Sequence, residues 1–242
     1  MDMVSEKTKV TNPAFISYPL SHGILADMKS DVFPTSLSAW SYDSLNLPGG
    51  ATHLGYVYKG HPTLQTGPYR FPLAPGMYFS VPGAAVVHGA GQGIVASREG
   101  YRGFFQLGGP VEEVGRLKYI DGCTDSLLIP PIMLGDPCLN LLFFPPKIHQ
   151  TQHTHPSMRV GMVVRGRGWC VTPYEETILA PGVVFVIPTD GLHSFHTEDS
   201  SMTVIAYHPD SDFGPTHEEH PMINRTIVNG VSASKIAEIR TR

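Results

Sequence analysis

Eight of the twelve histidines in this 242-residue chain lie after residue 148, and they are densest in His149-Gln-Thr-Gln-His153-Thr-His155. On an extended strand, residues two apart project from one face. His153 and His155 are therefore expected side by side in one interior, as two ligands of one ion must be. His193, which follows the next strand bounded by a Pro-Gly turn, is the third candidate ligand. Imidazole suits zinc, copper, iron and nickel. Three neutral ligands on one side of an ion leave positions open for water, oxygen or substrate.

The residues around these three set the chemistry further. Arg159 shares the parity of His153 and His155. A guanidinium near a divalent cation is repelled, and a buried one needs a partner. Two readings stand: Arg159 folds aside onto a protein carboxylate, or it binds the carboxylate of a substrate bidentately. His149 has the ligand parity but sits further back along the chain, towards a rim; it is a candidate further ligand and the one candidate for proton transfer. Gln152 is expected to face away, His196 to lie outside, and Phe195 and Thr197 to line the interior. The stretch from His208 to His220, rich in histidine and carboxylate, has two readings, a solvated turn-rich loop and a second metal site.

These side chains need a scaffold, and the chain repeats one. Leu73-Ala74-Pro75-Gly76 recurs as Leu179-Ala180-Pro181-Gly182, and the same offset carries Gly60 onto Gly166, Phe79 onto Phe185 and Pro82 onto Pro188. Each unit reads as β. Ala51–Lys59, Met77–Val81, Phe104–Gly109, Asn140–Phe144, Arg159–Arg165, Val183–Ile187 and Met202–Tyr207 are short apolar runs bounded by glycine or proline, and Thr172–Leu179 reads as a hairpin. The best helix candidate is Val231–Ile239, and Glu112–Arg116 is expected to form a helical turn. With 25 glycines and 22 prolines, many turns separate short strands, and a sandwich or barrel follows.

Composition narrows the function. The net charge is −4 and the pI about 6.3, with no basic stripe, so nucleic acid is not an expected partner. No apolar run approaches the ~20 residues of a membrane helix. The polar start MDMVSEKTKV has no secretory h-region, and a cytoplasmic location is expected. Cys123, Cys138 and Cys170 are too widely spaced for a disulfide framework or a Cys-x-x-Cys site. There is no G-x-S-x-G, P-loop or H-E-x-x-H, and Gly89–Gly93 lacks the helix that a dinucleotide loop requires.

At these residues the chain resembles the cupins, whose double-stranded β-helix belongs with the jelly rolls. Their first motif is G-x5-H-x-H-x3/4-E-x6-G and their second G-x5-P-x-G-x2-H-x3-N. Here the order is His153-x-His155-x3-Arg159-x6-Gly166, then Gly182-x5-Pro188 with His193 in place. Lys147 replaces the first glycine, Arg159 the glutamate and Thr197 the asparagine, and Asp190-Gly191 shifts a glycine by one. In the first unit, Leu47, Gly49 and Val87 occupy the histidine positions, His53 corresponds to Arg159, and His88 is one residue off.

The resemblance implies an all-β chain of two tandem cupin (jelly-roll) barrels. These are a degenerate one over 1–135 and a metal-competent one over 136–242. It implies a metal-dependent enzyme on a small carboxylate-bearing substrate, with the ion on His153, His155 and His193. Arg159 and His149 would be its catalytic groups. Without the glutamate, the site is similar to those of three-histidine Fe(II) dioxygenases. Fe(II) is the expected ion, with Mn, Ni, Cu or Zn open to the same ligands. An isomerase, lyase or epimerase using the metal non-oxidatively is the alternative, as is a non-catalytic small-ligand-binding barrel. A homodimer is expected from the prevalence of such assemblies.

Overall fold

A computed structural model describes residues 13–210 and 227–239. The part of the His208–His220 stretch beyond Asp210 lies outside them. The chain is almost wholly β. Its largest sheet has seven strands, in the order Ile16–Tyr18, Val184–Ile187, Arg159–Gly166, Met202–His208, Cys138–Phe144, Thr124–Ile129 and Leu117–Lys118. A six-stranded sheet runs Gln106–Gly108, Tyr78–Pro82, Ala51–Gly60, Gly91–Glu99, Thr35–Ser41 and Gly23–Met28. The repeated segments occupy matching places in the two sheets. Gly55 pairs with Phe79 in one, and Gly161 pairs with Phe185 in the other.

Each large sheet faces a smaller one. Leu45–Leu47, Ala85–His88, Thr63–Thr66 and Tyr69–Pro72 form the first small sheet. Ser194–His196, Gly168–Val171 and Glu176–Leu179 form the second. In the second, the place of Leu45–Leu47 is taken by two isolated bridges, His149 to His196 and His153 to His193. The segment that carries the histidine pair is thus an edge strand reduced to two contacts.

Three apolar clusters explain why the strands read as continuous hydrophobic runs rather than as alternating ones. Trp40, Val57, Phe79 and Val87 fill the first unit, and Phe144, Phe185, Phe195 and Val204 fill the second. The third cluster lies between the two large sheets, where Leu37, Leu54 and Ile94 meet Leu141, Val160 and Ile205. The Tyr207 hydroxyl, 3.3 Å from Thr35 Oγ1, adds a polar tie across it. Both faces of each large sheet are therefore covered.

Ile16–Tyr18 and Thr124–Ile129 hydrogen-bond into the sheet of the second unit. Two expectations are corrected. Val231–Ile239 is not an α-helix: Ile227–Val228 and Val231–Ser232 pair as a hairpin, followed by two single 3-10 turns. Residues 112–116 form no helical turn either, and Arg116 instead meets Glu112 at 3.1 Å on an exposed loop. No helix among the described residues is long and apolar enough to cross a membrane.

Candidate metal centre

The ligand atoms of His153, His155 and His193 all lie within 4.8 Å of one another. Their ring centroids are separated by 4.6, 5.1 and 5.3 Å, a nearly equilateral triangle. The backbone sets the His153–His193 side of it: the two residues exchange N–H···O bonds of 2.9 and 3.1 Å. Each also donates its ring Nδ1–H to a carbonyl two residues back, His153 to Thr151 and His193 to Gly191, both at 2.8 Å. A carbonyl can only accept, so these bonds fix the tautomer and leave Nε2 with its lone pair, the usual outer support of a metal-binding imidazole.

Electrostatics keep two of the rings neutral. Burial, then the charge of Arg159, then the other two rings push His155 down to about 3. Burial likewise pushes His193 down to about 4, against the raising effect of its Gly191 bond. Both are unprotonated at neutral pH, as metal ligands must be. A divalent ion with bonds of ~2.0–2.1 Å spans ligand pairs of up to about 4 Å. Side-chain shifts under about 1 Å close the shell, so the donor set fits such an ion.

The cavity around the three rings is small, about 20 Å³. Its lining includes Tyr119, Gln150, Arg159, Phe185, Phe195 and His208. The sequence reading missed His208. It continues the alternation Val204, Ala206, His208, whose first two members also line the cavity. Ending the strand at Tyr207 assigned His208 to a loop. Burial first, then Arg159 and His155, hold His208 well below its ordinary value.

Arg159 is where parity predicted, in the cavity, and it has folded onto a protein carboxylate. Its Nη1 is 3.5 Å from Asp210 Oδ1 and donates to Ser157 Oγ and to the Met158 carbonyl. Burial lowers its basicity and the Asp210 charge opposes that.

His149 lies elsewhere. Its Nδ1 lies 3.2 Å from His196 Nδ1, and its ring packs 6.2 Å from Trp169. It is not among the described residues lining the cavity. The reason is a break in alternation. Gln150 is buried and held to Phe195 on both sides, its N–H to the carbonyl and its Oε1 to the amide. Gln150 and His153 therefore both face the cavity, although three residues apart. Gln152 is exposed, His196 stacks on Trp169 and Phe195 is buried, as expected. Thr197 is buried, but its hydroxyl is consumed by backbone: it donates to the Pro145 carbonyl and accepts from Ile148 N–H.

The first unit shows the same frame without the chemistry. Leu47 and Val87 are packed in its apolar cluster. His53, at the Arg159 position, is fully buried, donates Nε2–H to the Pro48 carbonyl and accepts from the Ser97 hydroxyl.

Comparison with solved structures matches this frame over most of the chain. A cupin 2 conserved barrel domain protein from Leptotrichia buccalis aligns with TM-score 0.56 over 82% of this chain and 91% of its own, at 12% identity. A putative glyoxylate induced protein from Pseudomonas aeruginosa aligns with TM-score 0.63 over 84% and 91%, also at 12% identity. The fold is that of the cupins. The chain is also similar to a salicylate 1,2-dioxygenase from Pseudaminobacter salicylatoxidans, with TM-score 0.56 over 76% and 74% at 11% identity. The model of the AraC-like ligand binding domain matches residues 145–219, which contain the three histidines and Arg159. No curated protein matches the chain.

Proposed function

We propose that this cupin is a metal-dependent enzyme acting on a small carboxylate-bearing molecule, most simply as an Fe(II) dioxygenase. The observation that carries the reading is the convergence of three imidazoles with a buried guanidinium in one cavity. His153, His155 and His193 would hold the ion. When bound, it supplies Lewis acidity and, if it is iron, a binding place for oxygen. Arg159 would orient the carboxylate, Phe185 and Phe195 shield it from water, and Gln150 stiffen the wall. The structural neighbour named for salicylate, a carboxylate, supports the substrate class.

The cavity of about 20 Å³ has room for one or two waters. Ligand pockets are usually roughly 300–1,000 Å³. Substrate entry therefore requires a lining side chain to move, and Arg159 is the one held from outside the ring of histidines. The non-oxidative alternative needs a proton-transfer group, and the contact of His149 with His196 gives it little support. Non-catalytic binding of a small ligand is favoured by one observation, the match to a ligand-binding domain model across the site.

Elemental mass spectrometry tests the proposal, on protein purified without nickel affinity or chelators, beside His153→Ala/His155→Ala. Stoichiometric iron that the double variant lacks is expected, followed by oxygen consumption with members of a small carboxylic acid panel. Zinc, nickel or manganese, with turnover independent of oxygen, would overturn the dioxygenase in favour of an isomerase or lyase. Ligand binding with no turnover under any loading would leave the binding module.

A further inference from the structure

Among the described residues, Arg159 makes its hydrogen bonds and its ion pair through one nitrogen. Nη1 meets Asp210 Oδ1 at 3.5 Å, Ser157 Oγ, the Ser157 carbonyl at 3.2 Å and the Met158 carbonyl at 2.9 Å. Nε is buried with no hydrogen-bond partner among them. The guanidinium fork is thus half used: its pairing with Asp210 is monodentate and long, whereas an arginine–carboxylate pair at full strength uses two parallel bonds at about 2.8 Å. Asp210 is the more exposed partner, at 25% against 13%. Its other contact is the Ser157 hydroxyl, which bridges it to the arginine. A buried cation beside a divalent ion needs an anion at all times. Asp210 supplies one weakly, from the outer side.

From this arrangement we propose that Asp210 is a built-in competitor for the substrate carboxylate. In the resting site it neutralises Arg159 through Nη1. An entering carboxylate takes the free Nε edge of the fork and releases Asp210 towards solvent. A neutral ligand cannot replace that countercharge, so the exchange selects carboxylates over their amides. The inference rests on Arg159 as the carboxylate anchor of the proposed function, and it adds a residue that sets both specificity and resting occupancy.

The test is calorimetric titration of Zn(II)-loaded protein with acetate, acetamide and azide at constant ionic strength. Azide reports anion affinity for the ion without a carboxylate fork. Removing the competitor with Asp210→Asn is expected to tighten acetate about tenfold, by raising the fraction of Arg159 that is free to bind. Acetamide is expected to stay unchanged and azide to tighten far less than acetate. Arg159→Gln is expected to abolish the preference for acetate over acetamide. Unchanged or weaker acetate binding in Asp210→Asn, with the preference still lost in Arg159→Gln, overturns the competitor and leaves the anchor standing. Equal tightening of azide and acetate assigns the effect to the general field and also overturns it. An unaltered preference in Arg159→Gln removes the anchor itself. Should Asp210→Asn not fold, Ser157→Ala decides, since it loosens the bridge but keeps both charges: tighter acetate supports the competitor and an unchanged affinity overturns it.

Discussion

Gly161 stands directly across the sheet from Phe185, and a Cβ at residue 161 would lie 2.1 Å from Phe185 Cζ. The same relationship holds between Gly55 and Phe79. In both units a glycine clears the space for the phenylalanine that fills the interior. Phe185 cannot retreat, because it stacks on Phe15 at 5.0 Å and meets Phe195 at 5.6 Å. Gly161→Ala is expected to cost about 1–3 kcal/mol through overpacking. The shift would appear as a lower urea midpoint at unchanged slope. Adding Phe185→Leu should restore part of the loss, a non-additivity that only direct contact produces.

Replacing His153 or His193, the proposed ligands, by Ala is expected to empty the site of bound metal. Added metal should raise the melting temperature of the wild type, by about 2.7 kcal/mol of stability at a hundredfold excess over Kd. It should leave the melting temperature of each variant where it was. Melting curves with and without added ion make the comparison.

His149→Phe is expected to retain wild-type metal content, because the ring lies against His196 and Trp169 rather than in the cavity. Elemental analysis beside His153→Ala checks this, and loss of metal from both would return His149 to the ligand shell.

Thr197→Val should lower stability by about 1–3 kcal/mol. It strands the half-buried Pro145 carbonyl and the Ile148 N–H that the hydroxyl now satisfies. Metal content should not change. Chemical denaturation and elemental analysis together separate this structural role from a part in ligand binding.

Burial pushes Asp125 up to about 6, against the lowering effect of its Ser126 backbone bond. It is 2% exposed, and its Oδ2 accepts from Asn140 Nδ2 while Oδ1 is unpaired. The native state therefore holds a proton that the unfolded chain releases near its ordinary value. Between roughly pH 4 and 6 the folded protein binds more protons, so stability falls as pH rises through that window and then levels off. At 1.36 kcal/mol per pKa unit the loss is on the order of 3 kcal/mol. Asp125→Asn is expected to flatten the profile and to be more stable than wild type at pH 8. Unfolding free energies measured from pH 4 to 8 test both.

Much of the molecule was legible in the chain. The constant offset joining the two Leu-Ala-Pro-Gly segments marks units whose strands occupy matching places in two sheets. The spacing of His153, His155 and His193 identified the cluster, because ligand geometry is set by strand period and by one bridging pair of backbone bonds. Leu47 and Val87, at the corresponding positions, announced an apolar first unit.

The remainder depends on chain segments meeting. Which way His149 faces was not readable, since the alternation that predicts it fails where the strand shrinks to isolated bridges and Gln150 turns inward. That His208 reaches the histidines follows from the last residue of one strand lying opposite Cys138 on the next. The choice between the two readings of Arg159 was likewise tertiary. A buried guanidinium needs an anion, a requirement that the sequence states. Which anion it finds was decided by the strand register that delivers Asp210 to within 3.5 Å of it.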